Sequence, residues 1–187
     1  LWPLLCLMAI IVLIGIFAEL APTVVQRRIT QGLIYLVAVV GLYVFVGNSG
    51  VLAFGNVAFM AIGAYVSALL TMSAGAKGIF LPDLPVWLQA AEWAPLTAAV
   101  AGGGMAAIVA FVVGYPLMRL SGISAGIATF AILVVTYVVI GNWSSVTGGQ
   151  NSLMGLPIYV GPWTAAVGAL VAIGIAFAYQ ESRSALL

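Results

Sequence analysis

Side chains equipped for covalent or acid–base chemistry are scarce in this sequence. It holds no histidine, a single cysteine, five lysines and arginines, and four aspartates and glutamates. Without histidine the commonest metal ligand and general base is missing, and Cys6, set in an apolar run, has no partner for a disulfide. The only lysine, Lys77, is followed by Gly78 and completes no G-x-x-x-x-G-K-[ST] phosphate loop. No catalytic residue, metal site or cofactor is expected, and ATP, if it is the fuel, must be bound by a partner. Proton relays and ion paths place ionisable groups at the bilayer centre. Here Glu19, Arg119 and Arg183 all fall at the ends of apolar runs, where their stems snorkel.

What remains are uncharged polar groups. The longest polar run is residues 143 to 152, from Trp143 through Ser144, Ser145, Thr147, Gly148, Gly149, Gln150 and Asn151. Its hydroxyls, amides and glycine-exposed backbone suit either an ordinary outside turn or contact with a polar or zwitterionic solute. Asn48, Ser49 and Asn56 interrupt one apolar region, and Thr129 and Asn142 lie in and after another. The candidate solute-path residues are therefore Asn48, Ser49, Asn56, Thr129, Asn142, Thr147, Gln150 and Asn151.

The elements that position these groups follow from composition. Hydrophobic residues make up 65% of the chain and charged ones 5%, with a mean hydropathy of +1.27, whereas soluble domains carry about 25% charge. So few charges cannot build a water-facing surface, so lipid is the solvent. A net charge of +1 gives no basic field for nucleic acid. Spanning helices need roughly 20 apolar residues, and residues 3 to 21, 30 to 46, 51 to 72, 94 to 118, 120 to 141 and 161 to 180 approach that length. The predicted fold is all-α, a polytopic transmembrane bundle of five to six spans in one permease-like domain over residues 1–187. The first residue is Leu and the last apolar run is followed by only a short charged turn, so the chain reads as an incomplete piece.

Positive residues near span ends favour the cytoplasmic side, which puts Arg27, Arg28, Arg119 and Arg183 inside. Three apolar stretches separate Arg28 from Arg119, an odd number, so one must fail to cross. The expected one is residues 47–72, where Gly47, Asn48, Ser49, Gly50, Gly55 and Asn56 break the pattern. Broken backbone at membrane depth survives only inside protein or along a wet cavity, which predicts a re-entrant segment. Residues 73–93 and 142–160 are then outer loops, the first carrying Lys77, Asp83, Glu92 and a short interfacial helix over 84–93 with two tryptophans. Close packing in lipid relies on small residues, and Gly122/Gly126, Ala64/Ala68 and Ser67/Thr71 have that spacing. Gly102-Gly103-Gly104 predicts either tight packing or a flexible point.

In order along the chain, residues 50 to 65 (GVLAFGNVAFMAIGAY), 116 to 130 (PLMRLSGISAGIATF), Asn142-Trp143, 147 to 151 (TGGQN) and Gly155-Leu156-Pro157 resemble the permease subunits of branched-chain amino acid ABC transporters. The resemblance runs over residues 30 to 187. It implies a multi-pass inner-membrane (plasma-membrane) permease without enzymatic activity, paired with a second permease subunit, two cytoplasmic ATP-binding subunits and an extracytoplasmic solute-binding protein. Such a subunit moves branched-chain or other small hydrophobic amino acids inward by alternating access. Residues 181–187 resemble the start of the cytoplasmic coupling region. Urea or short amides, a passive solute channel and a purely structural membrane subunit are the competing readings.

Overall fold

The computed structural model describes residues 2–49, 54–117, 119–120, 122–149, 153, 155–156 and 159–184. Among these the fold is entirely helical, as expected. The order is α1 (Trp2–Leu20), α2 (Thr23–Ser49), α3 (Asn56–Thr71), α4 (Ala74–Phe80), α5 (Val86–Gln89), α6 (Pro95–Leu117), α7 (Ile123–Asn142), α8 (Ser144–Thr147) and α9 (Pro162–Ser184). Four of them, α2, α6, α7 and α9, are long and apolar enough to cross a membrane. A fifth crossing is available if the bent pair α3–α4 is counted as one span.

Helix starts are set by elementary rules. Both α6 and α9 begin with proline, whose missing N–H costs nothing in the first turn, and Thr97 and Thr164 donate back to the carbonyls of Ala94 and Gly161, each at 2.8 Å. Ser73 has extended backbone and its hydroxyl accepts the Ala76 N–H, so it N-caps α4. Gly122, at φ 59°, ψ −131°, stands before α7 in a conformation only glycine adopts readily.

Three expectations change. The helix does not break at Gly47-Asn48-Ser49: α2 runs through all three and also begins earlier, so that Arg27 and Arg28 lie within it. The stretch at 51–72, expected to re-enter rather than cross, contains α3 of only 16 residues, and a bend of 116° at its far end, Met72-Ser73, leads into α4. The interfacial helix expected over 84–93 is a single turn, α5, and is preceded by α4, which hydropathy did not separate from the loop. Chain contacts cluster into two compact units, residues 1–50 with 158–187 and residues 51–157.

The first unit is α1, α2 and α9. Its core is Ile11, Leu33, Ala165, Ala166, Ala169 and Ile173, with Ile29, Leu36, Val37 and Val40 of α2 packed around it. Gly15 of α1 faces Ala166, where a Cβ would lie 3.4 Å from the alanine Cβ. Small side chains thus let the backbones approach, which in lipid replaces the missing hydrophobic drive.

In the second unit α3 packs chiefly on α6 and also on α7. The α3–α6 crossing is a close backbone approach. A Cβ on Gly102 would stand 2.5 Å from the Gly63 carbonyl oxygen and 3.2 Å from Ser67 Cβ, and one on Gly63 would lie 3.3 Å from the Gly102 oxygen and 3.5 Å from Ala106 Cβ. Tight packing therefore explains the first glycine of Gly102-Gly103-Gly104, while Gly103 and Gly104 face open space.

Candidate functional site

The second unit has two polar ends. At one of them α3 begins beside the body of α7. Gly55 N-caps α3 and is buried, and a Cβ there would meet the Thr129 carbonyl oxygen at 3.3 Å and Thr129 Cβ at 3.4 Å. Phe54 and Phe130 meet edge to face, with centroids 6.1 Å apart. Thr129 is six residues into α7, about 9 Å along its axis at 1.5 Å per residue, so α3 starts inside the layer that α7 crosses. Irregular backbone at such depth must be buried in protein or line a cavity. Gly55 is buried against α7 and the neighbouring Asn56 is half-exposed. The Thr129 hydroxyl donates to the Gly126 carbonyl at 2.8 Å. Asn56 and Thr129 are the two predicted path residues that the fold brings to one junction.

At the other end of α7 the polar groups are occupied locally. Asn142 donates through Nδ2 to the Val138 carbonyl at 2.8 Å. Thr147 is buried; its Oγ1 lies 2.5 Å from the Ile140 carbonyl and 2.8 Å from that of Trp143, and it accepts the Gly149 N–H at 3.3 Å. One hydroxyl therefore closes the turn from α7 through α8, while Gly148, at φ 75°, ends α8 in the left-handed conformation. Asn48 and Ser49 are the last residues of α2, in the first unit. Gln150 and Asn151 lie outside the described residues.

Over this same end folds a cap made of residues 72–93. Its apolar core is Leu69, Met72, Leu81 and Leu84, with Ala76, Leu88, Val146 and Leu153 packed against it, so it joins residues of both expected outer loops. Gly155, at φ 80°, fits against Ala76 and Phe80, whose atoms lie 3.2 Å from where a Cβ would be. Lys77 is fully buried at 0% exposure. Its ammonium donates to the carbonyls of Leu88, at 3.0 Å, and Ala91, which caps the C-terminal end of α5 with a cation. In return the Glu92 carboxylate accepts the Ala74 N–H at the start of α4. Burial lowers the Lys77 pKa from its ordinary 10.5, and the nearby Glu92 opposes that shift. The Trp93 N–H donates to the Leu70 carbonyl at 2.9 Å, tying the end of the cap to α3.

This role for Lys77 was not legible in the sequence, where the lysine reads as a solvated loop charge. The packing residues were partly legible. Gly122 precedes α7 and a Cβ there would meet open space, while Gly126 lies within the helix. On α3, Ala64 is exposed and Ala68 half-buried, whereas Gly63 and Ser67 meet α6. The signal was present as two further four-residue spacings, Gly63/Ser67 and Gly102/Ala106. No group of three or more metal-ligating side chains occurs among the described residues.

Residues 24–179 match the family described as "Branched-chain amino acid transport system / permease component". Among curated proteins, the chain is 34% identical over 128 residues to the high-affinity branched-chain amino acid transport system permease protein LivM of Escherichia coli (strain K12), and equally to that of Salmonella typhimurium (strain LT2). Each match covers 68% of this chain and 26% of the relative, so the chain spans about a quarter of the length of the curated relatives it matches. No solved structure matches it. With its succession of apolar spans and a match running over most of its length, the chain belongs to the branched-chain amino acid transport permease family of multi-pass membrane proteins.

Proposed function

We propose that this chain is part of a permease subunit that carries branched-chain or other small hydrophobic amino acids inward across the cell's inner membrane by alternating access. The energy comes from two cytoplasmic ATP-binding partners, a second permease subunit completes the path, and an extracytoplasmic binding protein delivers the solute. The carrying observation is that α3 starts beside Thr129, well inside the depth of α7, with a buried glycine at the break and Asn56 next to it. Helices interrupted at membrane depth recur where transporters bind solutes, and membership of a branched-chain amino acid permease family supports the solute class.

In this reading Asn56 and Thr129 border the route. Asn142, Thr147, Gln150 and Asn151 belong to its outer mouth, where Thr147 shapes the backbone rather than meeting solute, and Asn48 and Ser49 end α2 on the outer side. Ala64, Ala68, Gly122 and Gly126 serve packing and turn geometry. Residues 73–93 and 142–160 form the outer surface, and residues 181–187 lead into the coupling region. The test is uptake of radiolabelled leucine by the full-length permease co-reconstituted with its ATP-binding partners and binding protein. Uptake that requires ATP hydrolysis and is competed by valine and isoleucine supports the proposal. Uptake that continues without ATP would make the protein a passive channel, and uptake of urea or amides in place of leucine would refute the solute class.

A further inference from the structure

The cap is built inside out relative to a water-exposed loop. Four of its polar side chains bond to its own backbone, while Asp83 is exposed. Lys77 is wholly buried on two carbonyls, Gln89 donates to the carbonyls of Pro82 at 3.2 Å and Leu84 at 3.0 Å, Ser73 accepts from Ala76, and Glu92 accepts from Ala74. The outward positions are held by Ile79 at 76% exposure, Val86 at 80% and Trp87 at 74%, with Phe80 also exposed. A wholly buried cation beside exposed large apolar side chains is the informative departure from ordinary surfaces.

Geometry selects what covers them. The 116° bend takes α4 somewhat past a right angle from α3, so with α3 running along the bilayer normal α4 lies near the membrane plane and dips back towards it. Apolar exposure also continues from the cap into the span, through Trp93 and then Leu96 at the start of α6. Tryptophan concentrates at the headgroup level, and short helices with one apolar side rest there. We propose that α4 and α5 are seated in the outer-leaflet interface, with Ile79, Phe80, Val86 and Trp87 immersed at the headgroup–acyl boundary and the lipid surface as their partner. Lys77 makes this possible, since it removes the one cation of the segment from the immersed face while satisfying the carbonyls that α5 exposes. The cap is thereby a fixed outer shoulder of the α3–α6 pair.

The proposal rests on the reading that α6 crosses the bilayer, and the test separates the two. In a Cys6→Ala background, nitroxide labels are placed singly at Ile79→Cys, Val86→Cys, Trp87→Cys and Phe111→Cys, the last on an exposed position of α6. The protein is reconstituted in phosphatidylethanolamine–phosphatidylglycerol vesicles, and collision with oxygen is compared with collision with a water-soluble nickel chelate. The expected result is oxygen collision several-fold above nickel collision at all four sites, with 79, 86 and 87 shallower than 111. Nickel-dominated labels at 79, 86 and 87 beside an oxygen-dominated label at 111 would show a cap standing in water and overturn the proposal. Labels at 79, 86 and 87 shielded from both reagents would show a protein covering the patch and overturn it equally. A nickel-dominated label at 111 would instead refute the spanning of α6 on which it rests.

Discussion

Gly102 is where the fold tolerates least. The perturbation is Gly102→Ala, one added methyl group on α6. Its Cβ would stand 2.5 Å from the Gly63 carbonyl oxygen, where ordinary contact begins at 3.4 Å. That neighbour is backbone, so it cannot swing away as a flexible side chain would. The helices must separate by about 0.9 Å, and overpacking of this kind costs roughly 1–3 kcal/mol. Against it stands the gain in helix propensity from glycine to alanine, about 1 kcal/mol. Separation loosens the van der Waals contacts on which helix association in lipid depends, and the net destabilisation is up to about 2 kcal/mol. Gly103 and Gly104 are internal controls, since nothing lies within 4 Å of a Cβ at either. Gly103→Ala and Gly104→Ala should keep the propensity gain and stabilise by up to about 1 kcal/mol. The assay is unfolding in detergent micelles by titrated sodium dodecyl sulfate, followed by far-ultraviolet circular dichroism. The order expected is Gly104→Ala and Gly103→Ala above wild type, and Gly102→Ala below it. A Gly102→Ala protein as stable as the other two would refute the close α3–α6 approach.

Three further predictions concern the outer end. Lys77→Met leaves the Leu88 and Ala91 carbonyls without their donor and should destabilise the cap by about 1–3 kcal/mol, read as faster amide hydrogen exchange over residues 74–93. Because burial depresses the folded pKa of Lys77 below its unfolded 10.5, the unfolded state binds the extra proton between those two values, and stability rises with pH through that window. Its contribution is complete above 10.5 and lost as pH falls through the lowered value, so exchange protection in the cap should grow on alkalinisation in wild type but not in Lys77→Met. Thr147→Val removes the hydroxyl that joins Ile140, Trp143 and Gly149 and should cost about 1–2 kcal/mol, seen as a lowered midpoint in the same detergent titration, while Thr147→Ser should restore most of it.

The long apolar runs made most of the fold legible, since charge-free stretches of spanning length have few alternatives to helices in lipid. The errors arose where weak local signals met tertiary context. Glycine at position 47 weakens a helix by only about 1 kcal/mol, too little to stop α2 before Ser49. Over 84–93 the run Gln89-Ala90-Ala91 favours helix, yet Lys77 takes the carbonyls of Leu88 and Ala91 and the helix ends after one turn. That contact joins residues 11 and 14 positions apart, beyond any helical periodicity. Of three consecutive glycines only the register of α6 selects Gly102. In the candidate site, Asn56 and Thr129 were legible as polar groups amid apolar runs, but their convergence required α3 to begin partway along α7. Thr147 was legible as polar; that its hydroxyl is consumed by the turn around it was not.

The central claim is that the junction of α3 and α7 borders the solute route. It is tested most directly by the full-length permease carrying a single cysteine at Asn56→Cys, reacted in proteoliposomes with a small charged thiol reagent with and without leucine. The account predicts modification from the aqueous phase that leucine slows and that in turn blocks uptake. A cysteine at position 56 that stays unreactive, or reacts at the same rate with leucine present, while uptake proceeds would contradict it.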